Sequence, residues 1–363
     1  MTLVNETRHI ELPDRPGRRR SRVSRLLEAL LTNRVVLLAV LIVIVIVVMS
    51  SLDAAGQLSG AYNADYLASA LISAVPLAML GLAQLLVILS GKGGIDLSVG
   101  SIVSLTGIFF GLAYGTWGWG FFPALVLAIV VGGLLGAVNG VLIAYIGFPP
   151  LIATLATYYA YRSLALVISD QKPISSPEIQ NFYSAAQSIE LPVIGASLPL
   201  IPLGVFTFLI PTAVVVWVLL NKTTFGHRIY ALGTNDVAAQ WAGINVRPNR
   251  LAVYAISGVI AGLVSVVTVA QFASARPDAG TSGNGMALPA ITIAVLGGVA
   301  ITGGIGRVAG IILATLLIVW LNAGILLALP GNDGTQFQLL ALGVVLVFAS
   351  LLNGITKRRY GGI

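Results

Sequence analysis

Long apolar runs dominate this sequence and decide its fold class: 35–51, 67–90, 97–115, 121–146, 150–169, 201–220, 251–271, 287–301, 308–328 and 336–353. A hydrocarbon core takes a helix of roughly 17–25 mostly apolar residues. Lipid offers no partner to backbone N–H and C=O groups, so each run must be helical, or shielded where it is not. The expected fold is an all-α polytopic membrane protein with about ten transmembrane helices by that length rule. Composition agrees: with 57% hydrophobic and 9% charged residues among 363, a soluble globule would have no interior for its apolar side chains. Forty-one glycines point to close helix packing and to broken helices. The absence of cysteine excludes disulfides, thiolate catalysis and Cys-ligated metals. Two points stay open: the short run 287–301, and whether the second and third runs are separate or one path broken at 91–94.

Charge gives the expected sidedness. Residues 1–34 hold eight arginines and no apolar periodicity, and read as a cytoplasmic tail. A basic start before the short run 35–49 also describes a secretory signal, with Asp53-Ala54-Ala55 as a poor cleavage site; further spans follow, so an uncleaved first helix is expected. With the N-terminus inside, an even count returns the segment 354–363, with Lys357, Arg358 and Arg359, to the same side. Seventeen of the 20 Lys and Arg residues then fall inside, leaving Arg162, Lys172 and Arg276 outside or buried. The net charge of +7 is thus juxtamembrane and implies no nucleic acid. The outward loop 170–200 contains SPEIQNFYSAAQ, a short interfacial helix with Pro in its first turn. It is either a surface cover or a docking surface for an extracytoplasmic partner.

Within the membrane the informative stretch is 90–101, SGKGGIDLSVGS. An ionisable group at depth costs roughly 2.5–3.5 kcal/mol on insertion scales and needs a reason. Asp96 either caps a helix opening at Leu97, with Ser98 and Ser101 satisfying local backbone, or lies in a broken helix lining a polar pathway. The stretch is no nucleotide loop: Leu86 stands where a Walker motif has its first glycine, and Gly93 where it has Ser or Thr. Gly304-Ile305-Gly306 opens no strand–helix unit. His9 and His227 form no metal cluster or triad, so no catalytic and no metal-ligating residues are assigned. The candidate pathway residues are Gly94, Asp96, Ser98, Ser101, Asn139 and Asn322. The two Asn, like Gln84, are read as interhelical or pore-lining amides.

The long basic loop 222–250 carries a second feature. Thr234 is placed to cap a helix over 235–242, with Asp236 in its first turn and Gly243 as terminator. One side shows Val237, Ala238, Trp241 and Ala242. Such a helix suits a groove on a partner protein or the lipid interface.

GGIDLSVGSIVSLTG (93–107), PLIATLA (150–156), TTFGHRIYALGTNDVAAQWAGINV (223–246), ASARPDAGTSGNG (273–285) and LGG…GGIGRVAG (296–310), in order over most of 67–353, resemble the permease subunits of bacterial ABC sugar importers of the ribose/xylose type. The resemblance implies a type II ABC importer-like permease in the inner membrane. A second permease, as homodimer or heterodimer, two ABC ATPase subunits that hold the ATP and Mg, and an extracytoplasmic solute-binding protein would complete it, and this chain would bind no cofactor and catalyse nothing itself. It makes 223–246 the coupling segment, with Gly226, Gly233, Asn235, Asp236, Ala238, Ala239, Trp241 and Gly243 as candidates. One departure stands out: where members commonly read Gly-x-Glu-Leu-Asp, this chain has Ala287 and Pro289 at the acidic positions. The alternatives are a permease for branched-chain amino acids or nucleosides, a stand-alone channel or secondary transporter, which more often pairs ionisable residues within its spans, and a membrane-anchored scaffold.

Overall fold

The computed structural model describes residues 33–186, 188–189, 200–282 and 285–360, with backbone alone for 188–189 and 352–360. The arginine-rich tail, most of the turn before residue 200 and the last three residues therefore lie outside the described chain. In order, the helices are α1 (Arg34–Ala54), α2 (Ala64–Leu89), α3 (Val99–Gly111), α4 (Phe121–Val141), α5 (Pro150–Ile168), α6 (Pro177–Ala185), α7 (Ile210–Lys222), α8 (Thr224–Thr234), α9 (Asp236–Trp241), α10 (Val246–Phe272), α11 (Ala287–Leu296), α12 (Val308–Ala328) and α13 (Asn332–Tyr360). Turns of π-helix at Leu112–Thr116, Leu142–Ile146 and Val205–Leu209 extend α3, α4 and α7. A two-residue ribbon pairs Ser188–Ile189 with Ile201–Pro202. Nine of the described helices are long and apolar enough to cross a membrane; α11 is an apolar helix of half that length. The chain is an all-helical polytopic membrane protein.

Local sequence explains the boundaries. Asn33 and Asn63 accept from the first free N–H groups of α1 and α2, Ser176 does the same for α6, and Pro150 and Pro177 sit where a missing N–H costs nothing. The expected interfacial helix after 170 is α6. Where α4 crosses α10, Gly132 and Gly136 face Gly258 and Gly262 so closely that a Cβ on any of the four would meet carbonyl oxygen of the other helix. With no hydrophobic drive for association in lipid, such small-residue contacts are what hold helices together. They also fix Asn139, one turn further along α4, against the same helix.

Elements from distant parts of the sequence meet at one end of the bundle. There the α2–α3 turn at Gly91 touches Gly233 and Gly303, Gly304 N donates to Leu89 O, Tyr230 donates to Gly306 O, and Gly298 rests on Arg34 at the start of α1. Ser59 between α1 and α2 meets Leu327 at the opposite end, from which α13 runs back. Both described chain ends and the segment 222–250 thus share one end, together with Arg34, Lys92, Lys222, Arg250 and Arg307; Lys172 and Arg276 lie at the other. This is the grouping that an even number of crossings requires.

The tenth crossing is not a full helix. After α10 the chain pairs Ala275 with Ile174 beside Gly111, then descends along α3 until Gly280 N donates to Ser104 and Gly280 packs on Gly100. α11 completes the path, about 15 Å at 1.5 Å per residue. The run 287–301 is short because a non-helical stretch of turns packed along α3 supplies the other half, tolerated at depth where protein surrounds it.

Candidate functional site

The first turns of two discontinuous helices, α3 and α11, begin beside one another in the interior: Met286, which precedes α11, has its backbone N 3.7 Å from where a Cβ on Gly100 would stand. Neither helix has a side-chain cap, so first-turn N–H groups and the positive ends of both dipoles converge. Thr281, next to Gly280, and Thr106, six residues beyond Gly100 on α3, have buried hydroxyls without a hydrogen-bond partner. Ala287 and Pro289 occupy the first turn of α11, which carries no carboxylate; proline there removes only an N–H that a helix start leaves free.

Beside the junction, Asp96 is fully buried. Gln84, five residues from the end of α2 and so roughly 7 Å inside, brackets its backbone: Gln84 Nε2 donates to Asp96 O, and Asp96 N donates to Gln84 Oε1 at 3.3 Å. Asp96 Oδ1 accepts from Ser98 N at 2.9 Å and Ser98 Oγ at 2.6 Å. Ser98 Oγ accepts from Asn139 Nδ2 at 2.7 Å, and Asn139 Oδ1 accepts from Thr157 Oγ1 at 2.7 Å. One polar chain therefore joins the α2–α3 turn, α4 and α5. Asp96 Oδ2 has no hydrogen-bond partner, and neither do the buried Ser257 Oγ and Tyr254 Oη on α10.

Two expectations change here. Asp96 does not cap a helix at Leu97: α3 begins at Val99, because the carboxylate closes a local turn onto Ser98 instead. Ser101 donates to Ser98 O as expected, and Gly94 fits under Val87 O only without a Cβ. Asn322 does not join the network; it sits on α12 against α13, where its backbone carbonyl accepts from Gln338 Nε2. Single hydroxyls within apolar runs carry no pattern, which hides Thr157 on α5 and Tyr254 and Ser257 on α10; for the latter two, the spacing from Arg250 along α10 (i, i+4, i+7) was the available signal.

At the basic end, α9 is capped by Asn235, whose Oδ1 accepts from Ala238 N at 3.0 Å; Thr234 ends α8 and donates to Tyr230 O instead. The cap is thus one residue later than expected, since Asn235 is extended and Thr234 still helical. Trp241 is 88% exposed, Val237, Ala238 and Ala242 share its outer face, and Ala239 is packed beneath at 4% exposure. Gly226 is pressed against the last carbonyls of α7, and Gly243 takes φ +82°. Asp236 lies 3.1 Å from Lys92 Nζ and 3.7 Å from Arg250 Nη2, which also donates to Ser90 O. Lys92 is four residues from Asp96 along one turn. The outer helix is thereby tied by charge to the turn that leads into the buried network.

Partial burial alone would push the Asp236 carboxyl upward, but the Lys92 hydrogen bond, the charge of Lys92 and then that of Arg250 outweigh it and hold it below its ordinary 3.8. A depressed carboxylate stabilises the fold above its unfolded-state value and loses that contribution as pH falls through the folded one. The melting advantage of the wild type over Asp236→Asn should be constant from pH 7 down to about pH 5 and shrink below 3.8; a pH-independent difference would show that the ion pairs do not hold α9.

A helical membrane protein with a broken central crossing and a small outer helix is a transporter-like architecture. Residues 66–350 match the family described as branched-chain amino acid transport system / permease component, and the chain belongs to it. It is 34% identical over 282 residues to the D-allose transport system permease protein AlsC of Escherichia coli (strain K12), covering 77% of this chain and 80% of that one. It is 36% identical over 265 residues to the ribose import permease protein RbsC of Bacillus subtilis (strain 168), 72% and 76% of the two chains. With the autoinducer 2 import system permease protein LsrD of Enterobacter sp. (strain 638) it shares 35% over 269 residues, 73% and 79%. No solved structure matches the chain. It is therefore a multi-pass permease component of the bacterial inner membrane.

Proposed function

We propose that the chain is the membrane-spanning subunit of an ATP-binding cassette importer for a monosaccharide or a related small polyol, delivered by an extracytoplasmic binding protein. The related permeases named for D-allose, ribose and autoinducer 2 support the substrate class. So does the junction of α3 and α11, whose free N–H groups and hydroxyls suit a neutral ligand rich in oxygen. On this reading the segments 1–34, 222–250 and 354–363 are cytoplasmic, 35–353 is the transmembrane unit, and ATP and Mg belong to a pair of separate ATPase subunits. A second permease, identical or not, completes the pore.

The observation that carries the proposal is the Lys92–Asp236–Arg250 cluster, because it gives the outer helix a route to the pathway. ATP closing the ATPase pair would move α9; Asp236 would pull on Lys92, and the turn 91–96 would shift Asp96 and the start of α3. Ala238→Trp tests this on the exposed face of α9. Uptake with the cognate ATPase and binding protein should fall at least tenfold while melting in detergent stays at the wild-type value. Normal uptake and normal ATPase association in that variant would remove α9 from the coupling contact. Ala239 is unsuited to the test, since enlarging it would disturb folding first.

A further inference from the structure

A groove with two chemistries runs along the outside of the bundle between α2, α7 and α12. Its inner part, about 460 Å³, is lined by Leu71, Ala78, Leu209, Ala213, Ile312 and Leu316. It shares Trp217, Val308 and Ala309 with a second space of about 430 Å³ at the basic end, where Asn221, Tyr230 and Arg307 join the lining. No carboxylate lines either part. Arg307 is exposed, and among the described residues neither it nor Lys222, whose Nζ sits 5.5 Å from the Trp217 ring centroid, has an ion-pair partner. α12 starts at this mouth without a side-chain cap. From Val308 to Leu316 the apolar wall runs about 12 Å at 1.5 Å per residue, longer than a single side chain reaches and enough for the upper part of an acyl chain.

We propose that this groove binds an anionic phospholipid, with one acyl chain along Ala213 and Ile312 and its phosphate between Arg307 and Lys222. Basic pockets between membrane helices recognise anionic headgroups in this way. A second copy of this chain is the poorer occupant. In the same membrane orientation, the acidic residue that the described part of a neighbour offers at the basic end is Asp236, already paired with Lys92 and Arg250. A phosphate supplies the missing counter-charge, and its chains fill a space that nothing else in the fold enters.

The test is native mass spectrometry of the full chain purified in detergent and titrated with equal phosphatidylglycerol and phosphatidylethanolamine. The wild type should prefer the anionic lipid by about thirtyfold, as expected for two cations near a headgroup. Arg307→Gln with Lys222→Gln, both exposed positions that leave packing untouched, should bring the ratio to one; Ala213→Trp should reduce adducts of both lipids. Equal uptake by the wild type, or a preference surviving in the double variant, would overturn the proposal. So would lipid adducts unchanged in Ala213→Trp with loss of a dimer, which would give the groove to a second copy. Because the readout needs neither ATPase nor transported substrate, its failure leaves the importer reading standing, and failure of uptake leaves the lipid site standing.

Discussion

Gly233→Val is expected to yield little folded protein, with a melting transition in detergent far below that of the wild type. Gly233 is where three parts of the chain touch through backbone alone: a Cβ there would overlap Leu89 O and Gly304 N, and Gly91 in turn packs on the Gly233 backbone. Overpacking typically costs ~1–3 kcal/mol when side chains can shift. Here the obstacles are main-chain atoms of the α2 end and of the 303–304 turn, so the cost lies at or above the top of that range. Gly243→Ala is the control. Its φ of +82° asks for glycine, but nothing lies within 4 Å, so only conformational strain of about 1–2 kcal/mol is added. A Gly233→Val protein that melts with the wild type would mean that the three turns are not locked together.

That junction marks the limit of what the sequence disclosed. Apolar length located every long crossing, because lipid solvation acts on each segment separately and leaves its mark residue by residue. The grouping of Lys and Arg anticipated which turns share an end, for the same local reason. The exposed face of α9 was legible as Val237, Ala238, Trp241 and Ala242. Contacts between segments were not. Lys92 and Arg250 looked like two more sidedness charges until folding brought both to Asp236, and Asn322 looked like Asn139 although only Asn139 faces Ser98. The half-helix α11 read as a weak full span, since nothing local says that the glycine-rich stretch before it descends beside α3.

Asp96 offers the sharper functional test, through two substitutions that should part company. Asp96→Leu removes the acceptor for Ser98 N and Ser98 Oγ, and with it the anchor of the Asn139–Thr157 chain. Each buried donor left unpaired costs about 1–3 kcal/mol, so this variant should melt well below the wild type and transport little. Asp96→Asn keeps Oδ1 in place for both Ser98 donors. Its new amide group takes the place of Oδ2, which has no hydrogen-bond partner to lose. It should therefore fold within about 1 kcal/mol of the wild type, the net worth of an ordinary hydrogen bond, while losing the charge. If the charge serves the alternation of the pathway, uptake by Asp96→Asn falls at least tenfold, about 1.4 kcal/mol in the transport barrier. ATPase association stays intact, because Asp236 and Lys92 are unaltered. Full uptake by a folded Asp96→Asn protein would reduce Asp96 to a structural peg and move the pathway to the α3–α11 junction alone. The two outcomes differ because an aspartate tolerated at this depth only for hydrogen bonding is replaceable by its amide, whereas one retained for its charge is not.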